Sequence, residues 1–163
     1  MKKTVFFALL ALLCVFLVSC AMDPNMINYD LKTLEQNVVS VELISYENPN
    51  QKEFRSWVPD HSDELVPMDL TKISVTKTLA EEDLQAFLLE FSNATIMSTY
   101  YSYDSPAGEC IKLNYENGDF MIVHNGGGYS GYIGEFNADG TVKEFIGSFD
   151  GRVHFLDLLE YFK

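Results

Sequence analysis

Asn117-Gly118 is the dipeptide that most narrows what this chain can fold into, because a type I′ hairpin turn needs positive φ at both central residues. The flanking residues alternate, with Ile111, Leu113 and Tyr115 before the turn and Phe120, Ile122 and His124 after it. A two-residue loop would pair Tyr115 with Phe120, Leu113 with Ile122 and Ile111 with His124, all on one face. Lys112, Asn114 and Glu116 would then face outward. A second hairpin is expected from residues 129–136 and 141–146 across Asn137-Ala138-Asp139-Gly140, with Gly140 as the left-handed residue that closes it.

Val39-Ser40-Val41-Glu42-Leu43 alternates with period two and predicts a half-buried strand continuing toward Tyr46. Residues 71–76 alternate in the same way, placing Ile73 and Val75 on one face, and residues 95–101 form a third β-branched and aromatic run. Between the first two, residues 50–69 hold Pro59, Pro67 and Trp57; a connection this long either serves a function or hides a strand at 54–58. Residues 79–92 predict a helix. Thr78 and Glu81 match a capping box, Glu81-Glu82-Asp83 suits the positive end of the helix dipole, and Leu84, Phe87, Leu88 and Phe91 share one face. A last helix is expected after Asp150 as N-cap, with Phe155, Leu158, Leu159 and Phe162 as its apolar stripe. Hairpins without alternating β-α-β units predict an α+β fold: a single domain over residues 38–163, with an antiparallel meander of about five or six strands and two helices packed on one face.

The N-terminus carries a different kind of signal. Lys2 and Lys3 precede an apolar run over residues 5–18, and Leu17-Val18-Ser19-Cys20 resembles the lipobox of bacterial lipoprotein precursors. The run is shorter than the roughly 20 apolar residues of a spanning helix. The resemblance implies that residues 1–19 are a signal peptide, that the Cys20 thiol takes a diacylglyceryl group, and that cleavage makes Cys20 the mature N-terminus. Residues 20–37 would follow as the lipidated end and a polar tether, with no more than a helical turn near Leu31 and Leu34. The implied place is the extracytoplasmic face of the bacterial cell membrane, held there through lipid. With the tether and the terminal meander and helix, the pattern is similar to small lipoproteins of Gram-positive bacteria, a resemblance that names no activity.

Charge bears on partners. The full chain has 11 Lys+Arg against 24 Asp+Glu, and loss of Lys2 and Lys3 with the signal takes the formal net charge from −13 to −15. A surface this acidic repels phosphate backbones, so nucleic acid is not an expected partner. Cys14 lies in the signal and Cys20 is the acylation residue, which leaves Cys110 alone in the folded part and no intramolecular disulfide. Cys110 reads as a buried small hydrophobe.

The motifs that tempt lack their contexts. Gly126-Gly127-Gly128-Tyr129-Ser130-Gly131 satisfies G-x-G-x-x-G, but strand-like residues follow it where a dinucleotide site needs a helix N-terminus. Tyr132 stands where a nucleophile elbow needs glycine. His61, His124 and His154 have no zinc spacing, and the acidic run around His61 lacks the order of an EF-hand loop. No metal, cofactor or catalytic residue is therefore expected. Trp57, Tyr101, Tyr103, Tyr129 and Tyr132 remain as candidate binding residues near the Gly- and Pro-containing turns, against the alternative that they pack the sheet. The expected function is a non-enzymatic, lipid-anchored binding or accessory module for a protein or cell-envelope ligand. The alternative is an extracytoplasmic hydrolase whose acids and histidines converge in three dimensions. A pocket with His and two acids would favour the hydrolase.

Overall fold

In the computed structural model, which describes residues 26–27, 29–48, 67–97, 107–125, 131–150 and 155–163, the alternating stretches pair into one open antiparallel sheet. Six strands carry it: β2 (Val38–Tyr46), β3 (Ile73–Thr78), β5 (Gly108–Tyr115), β6 (Phe120–Asn125), β7 (Gly131–Phe136) and β8 (Val142–Asp150). Two short strands, β1 (Met26–Ile27) and β4 (Thr95–Met97), extend one edge. The spatial order is β1-β4-β8-β7-β6-β5-β2-β3. The β5–β8 meander thus forms the middle, and the strands that precede it in the chain flank it on both sides.

Three helices, α1 (Leu31–Asn37), α2 (Glu81–Ser92) and α3 (Phe155–Leu159), cover one face, and a 3-10 turn over Glu160–Phe162 continues α3. The period of α2 puts Phe87, Leu88 and Phe91 at 0% exposure against Ile111, Leu113, Met121, Val123 and Ile133. Phe87 and Phe91 stack at 6.3 Å, while Tyr161 and Phe162 meet Phe87 edge-on. The opposite sheet face has a smaller core of Ile44, Tyr46, Met68, Cys110, Phe120, Ile122 and Phe136. The fold is α+β in one domain, as expected. Among the described residues no helix is long and apolar enough to cross a membrane.

The first hairpin differs from its expected register by one residue. Leu113 pairs with Met121 and Ile111 with Val123, because the loop has three residues, not two. Gly118 N–H donates to Tyr115 O at 3.0 Å and Tyr115 N–H to Asp119 O at 2.9 Å, with Gly118 alone taking the bulge position at φ +89°. Asn117 Oδ1 accepts from Asp119 N–H, a local bond that holds this longer loop. With period two, the slip sends Phe120 and Ile122 to the second core while Met121 and Val123 join Ile111 and Leu113 under the helices. The second hairpin has the same form, with Gly140 at φ +85° as expected.

Other boundaries shift for local reasons. A bulge between Val38 and Ser40 sends Val38 and Val41 to the same core and leaves Val39 exposed. Thr78 ends β3, so it cannot cap α2, whose N-cap Ala80 makes no side-chain cap bond. Edge strand β3 leaves Val75 exposed instead of burying it beside Ile73. Asp150 ends β8 and pairs with Thr95; it is not the N-cap of α3, which starts at Phe155. Part of the expected tether belongs to the fold: β1 pairs with β4, Asp30 caps α1 through Thr33 N–H at 3.0 Å, and Leu34 is buried. That helix raises the expected two to three. The strand proposed at 54–58 lies outside the described residues.

Candidate functional site

A cleft of about 550 Å³ opens where α1 crosses the end of the meander. The chain entering α1 supplies Tyr29, and the helix supplies Thr33, Leu34 and Asn37. Tyr115, Glu116 and Asn117 come from the first hairpin turn, Glu135 from β7 and Lys143 from β8. Alternation explains the convergence. Tyr115 continues the helix-side row of Ile111 and Leu113 on β5, and Glu135 follows Ile133 by two residues on β7, with β6 between them. The bond from Glu116 N–H to Asn37 O at 3.1 Å ties the end of α1 to the turn.

The polar groups at this end are unevenly satisfied. Tyr115 Oη donates to Glu135 Oε1 at 3.0 Å. Lys143 Nζ is held by Asp119 Oδ2 at 3.0 Å, and Asp119 Oδ1 also accepts from Ala138 N–H, joining the two hairpin turns. Glu135 sits directly across from Glu144 on β8. Among the described residues neither carboxylate has a cation within 4 Å. Tyr29 rests its ring on Phe91 at 5.5 Å, and its buried hydroxyl has no hydrogen-bond partner among the described residues. Burial, and then the negative charge of Glu135 and Glu144, raises the Tyr29 phenol above the ordinary tyrosine range. Burial and Glu135 raise Tyr115 likewise, so both phenols stay protonated.

This site is not the one expected from sequence. Cys20, Trp57, Tyr101, Tyr103 and Tyr129 lie outside the described residues, and Tyr132 sits in β7, paired with His124 and Ser148. Of the expected binding set, Tyr132 alone is among the described residues. His124 is buried on β6, where it pairs with Cys110, away from the cleft, and His61 and His154 lie outside the described residues. Burial pushes the Cys110 thiol up to about 12, which leaves it neutral. Among the described residues no three His, Cys, Asp or Glu side chains gather to hold a metal ion; the acidic run at 60–64 lies outside them. Tyr29, Tyr115 and Glu135 carry the cleft and had only faint signals: an aromatic just before the Asp30 cap, and a strand-end Tyr and Glu on an otherwise apolar face. No family model, curated protein or solved structure matches this chain, so its function rests on the chemistry of the cleft.

Proposed function

We propose that this protein is a lipid-anchored, non-enzymatic binding module of the bacterial cell envelope, and that the cleft under α1 receives a small polar ligand. The anchor and the extracytoplasmic location rest on the lipobox resemblance of Leu17-Val18-Ser19-Cys20. The binding role rests on one observation: the cleft joins two phenols, carboxylates and side-chain amides from α1, the first hairpin turn and β7. Among the described residues the cleft has no histidine, whereas the hydrolase reading needs one beside two acids.

Two measurements test this reading. Labelling cells with a fatty acid analogue should mark the wild type and not Cys20→Ser; label on the variant would overturn the anchor. Titrating the full chain in detergent micelles with fractions of soluble cell-envelope extract should give saturable amide shifts at residues 33–37, 115–117 and 135. Their absence with every fraction would overturn the binding role.

A further inference from the structure

We propose that Asn117 is a deamidation site that the folded turn holds shut, with the Asp119 carboxylate as its latch. The reaction needs water alone and does not depend on the binding reading above.

Asn117 and Gly118 are both exposed, and glycine has no Cβ to keep its nitrogen from the preceding side chain. The step is an internal acyl transfer. The Gly118 backbone nitrogen gives up its proton to solvent and attacks Asn117 Cγ; a C–N bond forms, the Cγ–Nδ2 bond breaks, and Nδ2 takes up a proton and leaves as ammonia. Water then opens the five-membered imide at either carbonyl, leaving aspartate or isoaspartate. One water enters and one ammonia departs, with no oxidation or reduction.

The groups that must react are bonded elsewhere in the structure. The proton that Gly118 must lose is donated to Tyr115 O at 3.0 Å. Asn117 Oδ1 accepts from Asp119 N–H and Asn117 Nδ2 donates to Asp119 Oδ2, both at 3.0 Å, so Asp119 takes up both ends of the side-chain amide. The latch is itself held, because Asp119 also accepts from Lys143 Nζ at 3.0 Å and from Ala138 N–H at 3.2 Å. These bonds favour the ionised carboxylate, and its charge beside the turn opposes loss of a proton from the Gly118 nitrogen. Conversion therefore requires the turn to open locally.

The position gives the reaction a consequence. Asn117 lines the cleft, and Glu116 N–H next to it ties the turn to Asn37 O at the end of α1. Isoaspartate routes the main chain through the side chain and lengthens it by one methylene, so conversion would disrupt the loop and loosen α1 from the turn.

The test incubates the full chain in detergent micelles at pH 8, with and without denaturing urea, and locates aspartate and isoaspartate by peptide mapping with mass spectrometry. The chain's other Asn-Gly dipeptide, Asn125-Gly126, is the reference for the unfolded state. In urea the two asparagines should convert at similar rates, and without urea Asn117 should convert at least about tenfold more slowly than in urea. In the folded protein Asp119→Ala should raise the Asn117 rate several-fold, and Asp119→Asn, which keeps an acceptor oxygen but removes the charge, should raise it less. Equal Asn117 rates with and without urea would overturn the protection. A folded Asp119→Ala protein that converts at the wild-type rate would overturn the role of Asp119; if that variant does not fold, Asp119→Asn carries this arm, and a wild-type rate there overturns it equally.

Discussion

At the scale of single residues, the two turn glycines have different duties. Both take positive φ, but a Cβ on Gly118 would meet only Ala138 Cβ at 3.4 Å, whereas on Gly140 it would lie 2.4 Å from Met68 O. Met68 N–H also donates to Gly140 O at 2.9 Å, so the segment entering β3 is clamped against the second turn. Gly140→Ala should cost more than about 2 kcal/mol, against about 1 kcal/mol for Gly118→Ala. Urea unfolding of both variants checks the order, and equal losses would show that the clamp yields. Tyr29→Phe should do the opposite. Removing a buried hydroxyl that has no partner among the described residues should leave stability unchanged or raise it by up to about 1 kcal/mol. A loss above about 1 kcal/mol by the same measurement would mean that the hydroxyl has a partner.

At the scale of elements, α1 decides whether residues before β2 are tether or fold. Leu34 is 3% exposed and packs with Val38, Leu88 and Phe91, so Leu34→Ala should cost about 2–4 kcal/mol by denaturant unfolding. On a solvated tether the same change would cost almost nothing. The two hairpin turns predict a pH dependence. Bonds from Lys143 and Asn117 lower the Asp119 carboxyl below the usual range, and bonds from Thr141 do the same for Asp139. A depressed folded pKa stabilises above the unfolded value of about 4, and that stabilisation is lost as pH falls through the folded value. Thermal melts from pH 6 to pH 2 should therefore show an acid loss that Asp119→Asn makes smaller; an unchanged acid limb would remove Asp119 from the account. The same turns show why the hairpin was legible and its register was not. Alternation and Gly118 place two strands and a loop, but a one-residue change in loop length depends on bonds such as Asn117 Oδ1 to Asp119 N–H, to which apolar patterning is blind. The α2 stripe was legible because four apolar residues at helical spacing have one way to be buried, whereas α1 offered only Leu31 and Leu34 amid polar residues. The cleft was the least legible part. Tyr29 and Glu135 are far apart in the chain, and only the packing of α1 over the meander brings them to one place.

At the scale of the whole molecule, the fold class followed from hairpin punctuation, while the strand order needed the three-dimensional pairing of distant segments. That order separates two groups of strands by when they are synthesised. β1 adds to β4, β4 joins the meander through β8, and β2 joins it through β5, so the last described strand is the template for β4 and, through β4, for β1. A nascent chain that has reached Met97 holds both flanks of a sheet whose middle does not yet exist. It can pair β2 with β3, but two strands alone are marginal in water. A chain ending at Met97 should accordingly be cleaved at once by protease and melt without a cooperative transition, and a protease-resistant fragment would refute this. The β1–β4 flank must wait for β8, so a pause in translation before β8 leaves that edge of the sheet unpaired and exposed to aggregation even though more than half of the described strand residues have already been made.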